Sequence, residues 1–175
     1  MRYISLFSGI EAASLAWIPL GWKAVAFSEI EPFPCAVLKE RFPGVPNVGD
    51  VTAFDWSQYK GQADLVMGGS PCQSFSVAGQ RQSLSDDRGN LALGFVEACD
   101  AIDPAYILWE NVPGVLNTED NAFGCLLSAM VGADAPLVSP REQGRWSDAG
   151  VVAGPRGSAA WRVLDAQHFG LAQRR

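Results

Sequence analysis

Two short segments hold the residue types from which a nucleophile-plus-acid site can be built. The first is Gly68-Gly69-Ser70-Pro71-Cys72-Gln73-Ser74-Phe75-Ser76, directly after Asp64-Leu65-Val66-Met67. A strand-like run ending in two glycines delivers the next residues to the carboxyl edge of a sheet, where open α/β folds place their ligands. Pro71 fixes the approach of the backbone, and Gln73, Ser74 and Ser76 surround the Cys72 sulfur with polar groups. A structural cysteine usually lies inside an apolar stretch instead. The second segment is Tyr106-Ile107-Leu108-Trp109-Glu110-Asn111-Val112-Pro113-Gly114, again an apolar strand ending in polar residues and a Pro-Gly turn. Glu110 closes a run that a parallel sheet would bury, and desolvation there raises a carboxyl pKa and keeps a proton available near neutrality. Alone, such a Glu could cap a backbone or pair with an Arg. A thiol and a carboxylic acid at the ends of two strands of one sheet edge favour a nucleophile with a general acid.

A third locus suits a polar ligand. Phe7-Ser8-Gly9-Ile10 joins a strand to a helix, a place where backbone N–H groups meet anionic or polar groups. Glu29 stands about twenty residues later, a spacing that fits a carboxylate on ribose hydroxyls. Asp50 ends a third predicted strand and could accept from an adenine amino group. Turn, acid and acid on three strand ends suit an adenosine ligand.

The elements that must position these residues alternate as a parallel sheet requires. Strands are predicted over Tyr3–Phe7, Ala24–Ser28, Val48–Val51, Asp64–Met67 and Tyr106–Trp109, and helices over Glu11–Trp17, Phe33–Arg41, Leu91–Ile102 and Asn121–Val131. Residues 132–158, rich in Gly, Pro, Ser and Ala, read as a flexible surface insertion, with order resuming at Trp161–Leu164. There is no internal repeat, and all 175 residues are expected to form one α/β domain.

Composition agrees. With 48% apolar residues the chain is not disordered, and no segment is long or apolar enough to span a membrane. Four widely spaced cysteines (35, 72, 99 and 125) without a C-x-x-C pair, and a single histidine, His168, argue against a disulfide framework or a zinc site and for a reducing cytoplasm. The net charge of −6 is unevenly spread, since residues 141–175 carry six of the 13 Lys+Arg and three of the 19 Asp+Glu. A duplex-binding domain should show a basic face, so the overall negative charge counts against one and only this stretch offers a local excess.

Taken together, Pro71-Cys72-Gln73 with its Phe-Ser sequel, Glu110-Asn111-Val112, Ser5-Leu6-Phe7-Ser8-Gly9-Ile10-Glu11-Ala12 and Phe27-Ser28-Glu29-Ile30-Glu31-Pro32-Phe33 resemble the DNA cytosine-5 methyltransferases. The wording is most like the phage-borne, Dcm-type members. The resemblance covers the whole chain but not the whole enzyme, because the chain stops within a Gln-x-Arg-x-Arg motif. It implies a Rossmann-like methyltransferase fold with a mostly parallel sheet, the last strand and the target-recognition region missing. It implies S-adenosylmethionine as cofactor, held by Phe7, Ser8, Gly9, Ile10, Glu29, Ile30, Asp50, Val51, Ser70 and Pro71, and no metal. Cys72 would add to C6 of a flipped cytosine in double-stranded DNA while Glu110 donates to N3. Asn111 would hold Glu110 and the Pro71 region, and Arg175 matches one arginine of the truncated motif. Gln73, Ser76 and Arg88 belong to a stretch resembling the mobile catalytic loop, with plain loop polarity the alternative. The pattern departs from the family at Ser5, Glu11 and Ala12, where an Asp and two glycines are usual. The expectation is a truncated or partial enzyme that does not methylate DNA efficiently alone, with a subunit of a split enzyme completed by a second chain, or a non-catalytic S-adenosylmethionine- or DNA-binding module, as alternatives.

Overall fold

The computed structural model describes residues 1–71, 91–141 and 144–170. These form two compact units, one from residues 1–71 and 91–111, the other from residues 112–141 and 144–170.

The first unit is built on a parallel sheet of β1 (Arg2–Leu6), β2 (Lys23–Ser28), β3 (Leu65–Gly68) and β4 (Tyr106–Trp109), in the order β2-β1-β3-β4. Three helices accompany it: α1 (Ala12–Trp17), α2 (Pro32–Arg41) and α3 (Leu91–Ile102). Alternate β1 residues point to opposite faces. Tyr3 joins Phe27, Leu38 and Leu65 in one buried cluster, flanked by Trp17, Trp22 and Phe42. Ile4 and Leu6 are wholly buried as well. Phe95 of α3 and Leu6 both close on Gly68, where a Cβ would lie 3.0 Å from the Phe95 ring. The α3 bounds match the apolar spacing Leu91, Phe95, Ala98, Cys99, Ile102, a 3.6-residue stripe.

Three expectations need correction. Val48–Val51 is not a strand. Among the described residues only one parallel bridge, Phe27 with Asn47, extends the sheet beyond β2, because Pro46 lacks an N–H and Gly49 turns the chain at φ 83°. Second, β4 is not buried on both faces. It is the outer strand among the described residues, with Tyr106 61%, Ile107 37% and Leu108 47% exposed, and Glu110 is exposed too.

The third correction concerns residues 132–158, which are not a structureless insertion throughout. In the second unit β5 (Ala149–Gly154) and β6 (Gly157–Arg162) form an antiparallel hairpin around Pro155-Arg156, with Gly154 facing Gly157. Gly157, the first residue after the loop, has φ 146°, a conformation that a residue with a side chain rarely adopts. Order therefore begins before Trp161, whose cross-strand neighbour is Gly150. The hairpin packs on α4 (Ala122–Val131) through Phe123, Trp146 and Trp161, whose rings meet edge to face at 5.4–5.6 Å.

Candidate functional site

The cofactor-type locus lies at the carboxyl ends of β1 and β2. Between β1 and α1 the chain turns through three left-handed residues, Phe7, Gly9 and Glu11, at φ 53°, 55° and 62°. Such a conformation is strained for Phe and Glu and is a mark of functional turns. The Ser8 hydroxyl braces it, donating to Ser5 O at 2.8 Å and accepting from Ser28 N at 3.2 Å. Ile10 is 57% exposed beside it.

Glu29 ties this turn to β2. Its Oε2 accepts from Gly9 N at 2.8 Å, and its Oε1 accepts from Ile30 N and Glu31 N, both at 2.8 Å. A carboxylate has about four acceptor positions, so roughly one remains for an outside donor such as a ribose hydroxyl. Asp50 stands exposed after the Phe27–Asn47 bridge, its Oδ1 accepting from Thr52 N and Thr52 Oγ1 at 2.8 Å each. Its Oδ2 has no partner among the described residues, which suits the amino group of a purine. Val51 is buried, its carbonyl accepting from Trp56 Nε1 at 2.9 Å. The site also has open space at Gly9, where a Cβ would meet nothing within 4 Å. These donors and acceptors fit an adenosine ligand.

Glu11 has a second role. It is wholly buried, accepts from Ser14 N and Ser14 Oγ through Oε1, and leaves Oε2 without a hydrogen bond among the described residues. Burial pushes its pKa up, opposed by Ser5 and Ser14. The Ser14 hydroxyl also meets the Tyr3 hydroxyl, so a polar thread runs from β1 through α1 to the turn.

The carboxyl ends of β3 and β4 meet as neighbours. Glu110 N donates to Gly68 O at 3.1 Å, and a Cβ at Gly69 would lie 3.0 Å from Glu110 Oε2. Asn111 Nδ2 donates to Ser70 O at 2.8 Å, the carbonyl just before Pro71. Trp109 Nε1 donates to the buried Ser70 hydroxyl at 3.0 Å. Three successive β4-end residues thus grip the segment that leads into Cys72. Cys72, Gln73, Ser76, Arg88 and Arg175 lie outside the described residues. Among the described residues no group of His, Cys, Asp and Glu could hold a metal ion, and no helix is long and apolar enough to cross a membrane.

Two residues of this site escape sequence reasoning. Trp109 reads there as strand filler, although a part-buried indole N–H usually finds a partner. Asn47, whose side chain bonds Glu29 N and O, Gly49 N and Cys35 Sγ, reads as a turn residue after Pro46.

Residues 1–133 match the profile of the family described as C-5 cytosine-specific DNA methylase. The chain is 46% identical to a DNA N-6-adenine-methyltransferase of Escherichia phage P1, over 99% of this chain and 27% of that protein. It is 42% identical to the orphan methyltransferase M.SPRI of Bacillus phage SPR, over 67% of this chain and 27% of that protein. It therefore spans about a quarter of the length of these relatives. The fold superposes on Spodoptera frugiperda DNMT2 with a TM-score of 0.59 at 25% identity, covering 76% of this chain and 41% of that one.

Proposed function

This chain belongs to the C-5 cytosine-specific DNA methylase family, and on that premise we propose that it activates cytosine in DNA for methylation at C5 through a covalent bond from Cys72. The observation that carries the reading is the grip of the β4 end on the Cys72 approach. Glu110 lies against Gly69 and Asn111 holds Ser70 O, which supports reading Glu110 as the acid that works beside the segment leading to Cys72.

C5 of cytosine is a weak nucleophile because the ring withdraws its electrons. In the proposed step the Cys72 thiolate forms a bond to C6, the C5=C6 electrons shift into the ring, and N3 takes the Glu110 proton. This leaves C5 electron-rich. Bound S-adenosylmethionine supplies the electrophilic methyl group that such a carbon accepts. Loss of the C5 proton, return of the N3 proton to Glu110 and breaking of the C6–S bond then restore the ring. The base has to leave the stack for the thiol to reach C6. Asn111 and Trp109 act as positioning residues on the Ser70-Pro71 backbone.

S-adenosylmethionine is the cofactor of this fold and family. In the proposed site Glu29 would hold the ribose hydroxyls and Asp50 the adenine amino group. The Phe7–Ile10 turn would lie against the ligand, with Ile10 and Ile30 offering exposed apolar surface for it. Ser70 and Pro71 would complete the cofactor pocket, and Gln73, Ser76, Arg88 and Arg175 are proposed to contact the flipped nucleotide or its phosphates.

The phage P1 relative carries an adenine-N6 name, which raises a second reading. That name describes a protein of which only 27% is matched. An exocyclic amine attacks through its own nitrogen and needs neither a thiol adduct nor an acid at a ring nitrogen. The Cys72 and Glu110 pair therefore favours C5.

Trapping decides between them. Fluorine at C5 cannot leave as a proton does, so DNA carrying 5-fluorocytosine should give a complex with the chain that survives SDS. Cys72→Ser should abolish it. Methyl transfer to adenine, with no adduct on 5-fluorocytosine DNA, would overturn the C5 reading.

A further inference from the structure

The backbone ladder beyond β2 stops after one bridge. Phe27 N donates to Pro46 O at 2.9 Å and Val48 N donates to Phe27 O at 2.8 Å, after which Gly49 turns away at φ 83°. The next rung would have to serve Glu29, and a side chain makes it. Asn47 Oδ1 accepts from Glu29 N at 3.0 Å while Asn47 Nδ2 donates to Glu29 O at 3.1 Å. A carboxamide has the same donor and acceptor pair as a peptide group, so it can stand in for a strand neighbour. The same Oδ1 also accepts from Gly49 N at 3.3 Å, and the same Nδ2 donates to Cys35 Sγ at 3.3 Å. Two donors and two acceptor directions are thereby filled, the whole capacity of the group.

These contacts join two loops that the backbone leaves separate. One carries Glu29, and the other passes through Gly49 into Asp50. A further brace, Ser28 Oγ donating to Gly49 O at 2.7 Å, ties the end of β2 to the second loop. We propose that Asn47 is a positioning residue of the cofactor site that sets the spacing between the Glu29 and Asp50 carboxylates, and so the fit of the adenosine part of S-adenosylmethionine. The inference rests on the assignment of those two acids to ribose and adenine. Asn47 touches no reacting atom, and the Cys72 chemistry does not depend on it except through cofactor occupancy.

The test separates affinity from chemistry. Binding of S-adenosylhomocysteine is measured by calorimetry on the 175-residue chain and on Asn47→Ala, well below both melting points. Trapping on 5-fluorocytosine DNA is then monitored against S-adenosylmethionine concentration. Asn47→Ala should raise Kd and the half-saturating concentration about tenfold, while the trapping rate at saturation stays within about twofold. A residue that merely supports the fold would lower the melting point and leave the affinity of the folded chain alone. Tight binding by Asn47→Ala, equal to the unsubstituted chain, overturns the inference and leaves the cofactor site standing. No binding by the unsubstituted chain overturns the ligand assignment and the inference with it. If Asn47→Ala does not fold, Asn47→Asp is read instead. It keeps the acceptor for Glu29 N and Gly49 N but loses both donations and sets a like charge beside Glu29. Its affinity should fall, and an unchanged Kd overturns the inference.

Discussion

The carboxylate of Glu110 occupies the space that a side chain at position 69 would need. A Cβ on Gly69 would stand 3.0 Å from Glu110 Oε2 and 3.3 Å from Glu110 O. Gly69 therefore lets the acid lie flat against the backbone that leads to Cys72. Gly69→Ala should push the carboxyl group aside by a few tenths of an ångström while the fold persists. Displacement of a proton donor on that scale slows chemistry on the order of tenfold. The expected result is a native-like melting point with about tenfold slower trapping on 5-fluorocytosine DNA. An unchanged trapping rate would show that the proton does not come from Glu110 in this pose.

The preceding glycine has a different reason to be there. A Cβ on Gly68 would lie 2.7 Å from Leu6 O and 3.0 Å from the Phe95 ring, contacts made by the sheet and by α3. Backbone cannot swing away as a carboxylate can. Gly68→Ala should cost about 1–3 kcal/mol of stability, as overpacking of a core does. A urea titration reads this as a lower midpoint at the same slope. If Gly68→Ala melted with the unsubstituted chain, the tight approach of β1, β3 and α3 at this point would be wrong.

How much of this was legible in the sequence depends on whether the cause was local. The helix Leu91–Ile102 was legible to the residue because a 3.6-residue apolar stripe over twelve positions has no other stable reading. The strands before Gly68 and Glu110 were legible because short β-rich runs end in Gly or polar residues. Val48–Val51 misled, since its two valines suggest a strand while Pro46 and Gly49 limit pairing to one rung. The hairpin was missed because Ala149–Gly154 and Gly157–Arg162 are rich in Ala and Gly, weak β formers that pair here only because Trp161, Trp146 and Phe123 pack across them. Glu29, at its twenty-residue spacing from the turn, could be picked out, but not its three backbone donors. The Asn47 network depends on two loops meeting in space, which no window of sequence contains.

Glu11 makes stability depend on pH. Burial raises its pKa, so the folded chain keeps this proton at pH values where the unfolded chain has released it. Its contribution is full below the ordinary carboxylate range and is lost as pH rises through the elevated folded value. Glu11→Gln keeps an acceptor for Ser14 N and carries no charge to desolvate. Its melting point should therefore gain on the unsubstituted chain as pH rises from about 4 toward 8, the two curves converging at the acid end. Parallel curves across that range would mean that Glu11 is ionised at no cost in the fold.

The hairpin of the second unit offers a test of packing by coupling. Gly150 faces Trp161 across the β5–β6 ladder, and a Cβ there would run into the indole ring. The same ring meets Phe123 and Trp146 edge to face, and its Nε1 donates to Ser147 O at 2.8 Å. Gly150→Ala should thus cost about 1–3 kcal/mol by forcing the indole out of the cluster. Trp161→Phe loses the hydrogen bond and some ring area but leaves room for the new methyl group. Together the two substitutions should cost less than the sum of their separate effects, with a coupling on the order of 1 kcal/mol. Urea midpoints of the four chains, with near-ultraviolet circular dichroism reporting the aromatic cluster, measure that coupling. Additive costs would mean that Trp161 does not lie over Gly150, and the pairing register of β5 and β6 would have to be shifted.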